Sequence, residues 1–175
     1  IAQARNWGEI QYRTPNAWRA RVAPTEHDPW RGRLLVGEVH DENGFALGGV
    51  AGHSGLFGTA EAVGRFARDV LAAAPGHATL ASPDTVHQFR QCSSVPGSSR
   101  ALGWDTMLPT SSCGIRMSKD AIGHTGFTGT SLWIDPRANR YVVLLTNRVH
   151  PTRSNDSILA FRPAFHDVVM DVVVS

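Results

Sequence analysis

The stretch that leaves this chain least freedom begins at Ile122. Thr128, Thr130, Leu132 and Ile134 alternate with Gly129, Ser131 and Trp133, the period-two pattern of a strand. Asp135–Arg140 supplies a turn with Pro136 and Asn139. Tyr141–Thr146 is a second strand, β-branched and apolar on both faces, as in a strand buried on both sides. Together they read as an antiparallel hairpin, which commits the chain to a sheet.

Helices surround it in sequence. Thr59–Ala74 is the clearest: Thr59 is a good N-cap, Glu61 suits the positive end of the dipole, and Val63, Phe66, Ala67, Val70 and Leu71 share a face. Pro75-Gly76 ends it. Ser82-Pro83-Asp84 gives an N-cap followed by proline at the first helical position, so a short helix is expected with Val86 and Phe89 inward. Ser93–Ser99 is a loop. The stripe Phe165, Val168, Val169, Val172 and Val173 predicts a closing helix over Pro163–Val174, although its valines leave a strand reading open. Ile1–Arg33 reads as loop with one short helix. Gly37–Gly58 holds seven glycines among Val39, Phe45, Leu47, Val50, Leu56 and Phe57. A solvated linker would be polar, so a tightly packed irregular segment is expected.

At 175 residues and 42% hydrophobic, the chain suits one compact domain or two small lobes sharing a core. It can bury roughly 70% of its unfolded surface without a staple. The formal charge of +2, with short arginine pairs such as Arg19 and Arg21 or Arg31 and Arg33 but no basic block, argues against nucleic acid. No apolar run approaches the roughly 18 residues of a membrane span. Cys92 and Cys113 could form one bridge or remain free thiols. The start at Ile1, without methionine or a signal-peptide pattern, suggests a processed, cleaved or excised product.

The chemistry concentrates in Gly123-His124-Thr125-Gly126-Phe127-Thr128-Gly129-Thr130-Ser131. Its glycine spacing is neither a dinucleotide nor a phosphate-loop fingerprint. Glycines where a strand begins and within it let a ligand or another backbone lie close to the sheet. Backbone N–H groups beside a basic residue and a hydroxyl can hold an acyl group and stabilise its oxyanion.

The His-Thr-Gly triplet resembles the Lys-Thr-Gly element of serine β-lactamases and penicillin-binding proteins. A longer series carries the likeness: Ala23-Pro24-Thr25-Glu26, Gly37-Glu38-Val39-His40-Asp41-Glu42-Asn43, Gly49–Phe57, Gly103-Trp104-Asp105 and Gly123–Pro136. From about Arg19 onward the chain is similar to class C-like serine hydrolases, a group of β-lactamases, DD-peptidases, esterases and peptidoglycan amidases. The resemblance implies an α+β fold, specifically the C-terminal half of the serine β-lactamase/DD-peptidase fold. Residues 1–102 would be a loop and helical-lobe portion; residues 103–175 would give three antiparallel strands and the closing helix.

It also implies site roles. Phe127 takes the position whose backbone N–H completes the oxyanion hole, and His124 takes the basic position. Thr125 is the hydroxyl that binds substrate carboxylate and Gly126 is the close-approach glycine; for His40 and His53 a place near the substrate cleft is the lesser reading, beside a polar turn. Histidine for lysine weakens attraction for a carboxylate, since imidazole is mostly neutral at neutral pH. The intact enzyme would then prefer muropeptide fragments or small acyl esters to penicillins.

Two elements are absent from these residues. No serine has a lysine three positions on, Tyr12 leads to Thr14, and Tyr141 to Val143, so neither Ser-x-x-Lys nor Tyr-x-Asn is present. The expectation is a fragment of an acyl hydrolase, inactive alone as an acyl-enzyme former. The alternative is a non-catalytic binding module that keeps the cleft wall. In the family the strand at 141–146 pairs with the missing half, so its free edge should attract an N-terminal fragment or a second copy. No cofactor is expected, and the family likeness points to the cell envelope or export.

Other readings are weaker. His40-Asp41-Glu42 with His53 lacks metal-ligand spacing; a polar turn bonded to its own backbone is preferred. Ser54 is not in a nucleophile elbow, because Leu56 stands where glycine is needed. Ser131 reads as structural. His27, His77, His87, His150 and His166 read as solvated or locally bonded, and Trp104 and Trp133 as core or cleft-wall aromatics.

Overall fold

A computed structural model describes residues 1–73 and 80–172; the expected helix stop at Pro75-Gly76, His77 and Val173 lie outside them. The elements run β1 (Ile10–Tyr12), a 3-10 turn (Asn16–Arg21), β2 (His27–Asp28), β3 (Arg33–Leu34), α1 (Glu42–Ala46), β4 (Leu56–Gly58), α2 (Ala60–Ala72) and α3 (Pro83–Arg90). They continue with β5 (Asp105–Thr106), β6 (Ile122–Thr125), β7 (Ser131–Asp135), β8 (Arg140–Leu144) and α4 (Ile158–Val172). The main sheet is antiparallel in the order β5-β6-β7-β8, so a two-residue strand joins the three expected.

Helices cover both faces. Ala67 and Val70 of α2 pack on Ile122 and Ile134, with Phe66, Leu71, Trp104 and Tyr141 around them. On the other face Trp133 and Val142 meet Cys113, Met117, Ala121 and Met170 of α4. Burying an aliphatic or aromatic side chain of this kind stabilises the fold by about 1.5–3 kcal/mol. Trp133 reaches its place only because Gly123, its register partner in β6, has no side chain; a Cβ there would collide with the indole. Asp135 closes the β7–β8 turn, accepting from Ser118 N and Oγ and from the backbones of Arg137 and Ala138. Burial alone would raise its carboxyl, but these donors outweigh it and the pKa falls below the ordinary value.

Several expectations are met at the level of local chemistry. The Thr59 hydroxyl caps α2 by accepting from Ala62 N, and Ser82 caps α3 with Pro83 at its first turn. Both cysteines are free thiols, with burial pushing Cys113 up to about 12.

Others are corrected. The strand expected from Thr128 starts at Ser131, because Gly129 sits at φ +119° and residues 126–130 turn instead. Phe89 is 46% exposed, and α3 buries none of its residues. Phe45, Leu47, Val50 and Leu56 are also exposed; the glycine-rich segment buries Val39, His40, Gly44 and Ala51 and leaves Phe57 half-buried. The largest correction is α4. It begins at Ile158, before the proline, and its buried residues are Ile158, Arg162, His166 and Met170. Val168 and Val172 of the expected stripe face outward at 61% and 67% exposure. Apolar content misled the sequence reading, since the inward row at i, i+4 spacing contains two polar side chains.

Candidate active site

β6 and β7 pair His124 with Leu132 and Thr125 with Ser131, and the turn between them carries the site. All five of its carbonyls are held. Gly126 O accepts from Gly129 N and from Arg162 Nη2 at 2.8 Å. Phe127 O accepts from Arg148 Nε at 2.9 Å and Thr128 O from Arg148 N. Gly129 O accepts from Thr146 Oγ1, and Thr130 O from Gly126 N and Arg162 Nη2. Gly126 is required because a Cβ would strike Thr130 Oγ1. In contrast, the Phe127 N–H donates to nothing among the described residues. The Thr128 and Thr130 N–H groups are likewise without an acceptor among the described residues, and a held loop with free donors can bind a negative oxygen.

The Phe127 ring is 58% exposed yet fixed. His40 stacks on it at 5.7 Å between centroids, and the Arg148 guanidinium lies 4.4 Å from its centroid. His40 is itself buried and bonded through Nε2 to Glu26 at 2.7 Å. Arg153 bonds both oxygens of that carboxylate and also reaches Glu42. The Arg153 guanidinium holds Glu26 down to about 2, against the opposing pull of burial, and His40 helps. The polar segment His40-Asp41-Glu42 is therefore not simply self-bonded. Asp41 does cap α1 through Gly44 N, but His40 and Glu42 join a network spanning the sequence from Glu26 to Arg153.

His124 projects into the same cleft. Its Nδ1 lies 2.8 Å from the Thr125 carbonyl, which can only accept, and its Nε2 lies 3.1 Å from Arg100 Nη1, which can only donate. Both contacts are satisfied by one neutral tautomer, with the proton on Nδ1. Arg100 brings a cation beside it, but Asp105 Oδ1 sits 3.2 Å from the same nitrogen and offsets that charge. His53 lines the same cleft, bonds Asp41 Oδ1 at 3.0 Å and is exposed. The cleft these residues line measures about 1000 Å³. Ser54 Oγ is buried without a hydrogen-bond partner among the described residues, and no metal-binding cluster occurs among them.

Arg162 escaped the sequence reading, and His166, expected to be solvated or locally bonded, is neither: the closing helix turns it into the core against a distant strand. His166 is fully buried, its Nε2 3.1 Å from Ser131 Oγ. Burial pushes its pKa down to about 4, with Arg162 adding to the effect. Arg162 is 6% exposed and has no carboxylate partner among the described residues. A helical position that alternates at four-residue spacing between Ile158 and Met170 was the available signal.

A cleft walled by a glycine turn of this build defines a class. The β-lactamase family model matches residues 6–162, and the chain belongs to that family. Among its relatives is an Escherichia coli (strain K12) protein named for D-alanyl-D-alanine carboxypeptidase. It is 37% identical over 127 residues, 69% of this chain and 29% of that protein. A Salmonella agona protein of the same name is 35% identical over 135 residues, covering 73% and 31%. The chain thus spans about three-tenths of the length of these relatives. Among solved structures, simvastatin synthase from Aspergillus terreus matches 98% of the chain and 48% of its own, at TM-score 0.66 and 16% identity. A β-lactamase from Mycobacterium bovis matches 68% and 46%, at TM-score 0.54 and 23% identity. These likenesses establish the fold.

Proposed function

We propose that these residues form the cleft wall and one donor of the oxyanion hole of a serine hydrolase acting on amide or ester bonds through an acyl-enzyme. Substrates would be cell-wall peptides or acyl esters. The observation that carries this reading is the Phe127 N–H, free on a turn whose carbonyls are all bonded and flanked by His124 and Thr125. In the reaction a serine hydroxyl bonds to the acyl carbon while its proton passes to a base. The carbonyl π pair moves onto oxygen, where Phe127 N–H donates.

His124, Thr125 and Gly126 would line the acyl site. His40 would act through Phe127, and His53 would meet the substrate within the cleft. The neutral tautomer of His124, with Arg100 offset by Asp105, supports a preference for substrates lacking the penicillin carboxylate. Neither Ser-x-x-Lys nor Tyr-x-Asn occurs in the 175 residues, so the nucleophile and base would come from an N-terminal half. We assign 1–102 to the loop and helical-lobe portion and 103–175 to the strands and closing helix. The half would pair along β8, whose outer edge has no strand partner among the described residues; a second copy could cover the same edge.

The test mixes the chain with a separately made N-terminal half. Hydrolysis of a chromogenic ester, together with fluorophosphonate labelling only in the mixture, is expected. Stoichiometric labelling of the chain alone would overturn the division of labour. A mixture that binds muropeptide without hydrolysing any ester or cephalosporin would favour the binding-module alternative.

A further inference from the structure

The Phe127 N–H and the Gly126 carbonyl belong to one peptide group. Charge placed on the carbonyl oxygen draws electron density from the nitrogen and makes the N–H a stronger donor, as in any hydrogen-bonded amide chain. The group that reaches this oxygen is a guanidinium, from Arg162 Nη2 at 2.8 Å. We propose that Arg162 is a positioning residue that polarises the Gly126–Phe127 peptide, so that the oxyanion donor is charged from behind by a buried cation.

Three further observations support the assignment. Arg162 is buried at the cost of desolvation, and no carboxylate among the described residues compensates it. A buried charge without a counter-charge is costly to the fold, so its bonds to the turn are the compensation the structure gives it. Second, the same Nη2 bonds Thr130 O at 3.1 Å, bracketing the turn at both ends, so the cation also fixes where the N–H points. Third, burial leaves the guanidinium unscreened by solvent, where its field acts at low dielectric. Arg162 Nε has no hydrogen-bond partner among the described residues, so the two bonds from Nη2 to the turn are not duplicated by an anchor at Nε. Arg148 does for the next peptide what Arg162 does here: its Nε bonds Phe127 O, which polarises the Thr128 N–H instead.

This inference rests on the proposed function only for its catalytic consequence, and its primary test needs no hydrolysis. Amide hydrogen exchange of the isolated chain is followed by NMR in wild type, Arg162→Gln and Arg162→Lys. A polarised N–H is more acidic and exchanges faster under base catalysis. Arg162→Gln is expected to slow Phe127 exchange roughly threefold or more and to leave Thr128 unchanged, while Arg162→Lys gives an intermediate Phe127 rate. Arg148→Gln should reverse the pattern, slowing Thr128 and sparing Phe127. An unchanged Phe127 rate in Arg162→Gln overturns the inference. If that variant does not fold, the lysine variant decides: it keeps the charge but its side chain ends one atom short of the position of Nη2, and parity with wild type sinks the idea.

In the chain completed by an N-terminal half, Arg162→Gln should lower kcat roughly tenfold with KM within about twofold, and Arg162→Lys should recover part of the loss. Failure of every mixture to hydrolyse an ester counts against the functional reading and leaves the exchange result standing. Full hydrolysis with unchanged exchange removes the inference alone.

Discussion

The two helices that sandwich the main sheet do different kinds of work. α2 buries Ala62, Gly64, Ala67 and Val70 and keeps Glu61, Arg65 and Arg68 toward solvent. Its contribution is apolar area, and it would read the same on any sheet of this shape. α4 points Arg162 and His166 inward between Ile158 and Met170, and those two side chains touch the turn and strand that carry the site. One face of the sheet is a packing surface; the other couples packing to the geometry of the turn that walls the cleft. Stability should therefore respond to different perturbations on the two faces.

The largest response should come from the shared centre. Trp133→Ala is expected to cost about 4 kcal/mol in urea unfolding, because it empties the α4 face and leaves Gly123 with nothing to pack against. A loss under about 1 kcal/mol would mean that the α4 face collapses freely and that the contrast is mistaken.

Acid should separate the faces next. The pKa of His166 falls from 6.5 to about 4 in the fold, so the unfolded chain binds its proton first. This contribution is complete above pH 6.5 and is lost as pH falls toward 4. Between pH 7 and pH 5 it amounts to about 2 kcal/mol, measured as the difference in pH dependence between wild type and His166→Gln. Substituting Val70 on α2 should leave that slope intact. The window lies above the range where Glu26, held to about 2, begins to protonate.

These outcomes bear on what could be read from residues alone. Caps, turns and the period of β7 and β8 are local signals, and Thr59, Ser82 and Asp135 do what their chemistry dictates. The His-Thr-Gly segment was legible because glycine spacing and a strand's alternation lie in one stretch. α4 was not legible in the same way. A stripe of valines scores as a buried face whether or not a sheet lies under it, and which face turns inward depends on Ser131, Gly126 and Thr130, brought near only by the fold. The Glu26–His40–Arg153 network was hidden for the same reason, its members being joined across more than a hundred positions.

Two smaller effects complete the comparison. Thr59→Ala should cost about 1 kcal/mol by thermal or urea unfolding, since it removes the α2 cap and nothing else. Val168→Ser, on the outward side of α4, should stay within about 0.5 kcal/mol. A loss of several kcal/mol there would show that the outward face of α4 is covered in solution.

Arg148 gives the turn a mechanical dependence. It follows β8 closely in the chain, and through one backbone and one side-chain nitrogen it grips the carbonyls of Phe127 and Thr128. Whatever straightens or shifts the end of that outer strand therefore pulls on the amide at the mouth of the cleft. A strand laid alongside β8 would do more than close the sheet: it would shift, by leverage, where the amides at the mouth of the cleft point.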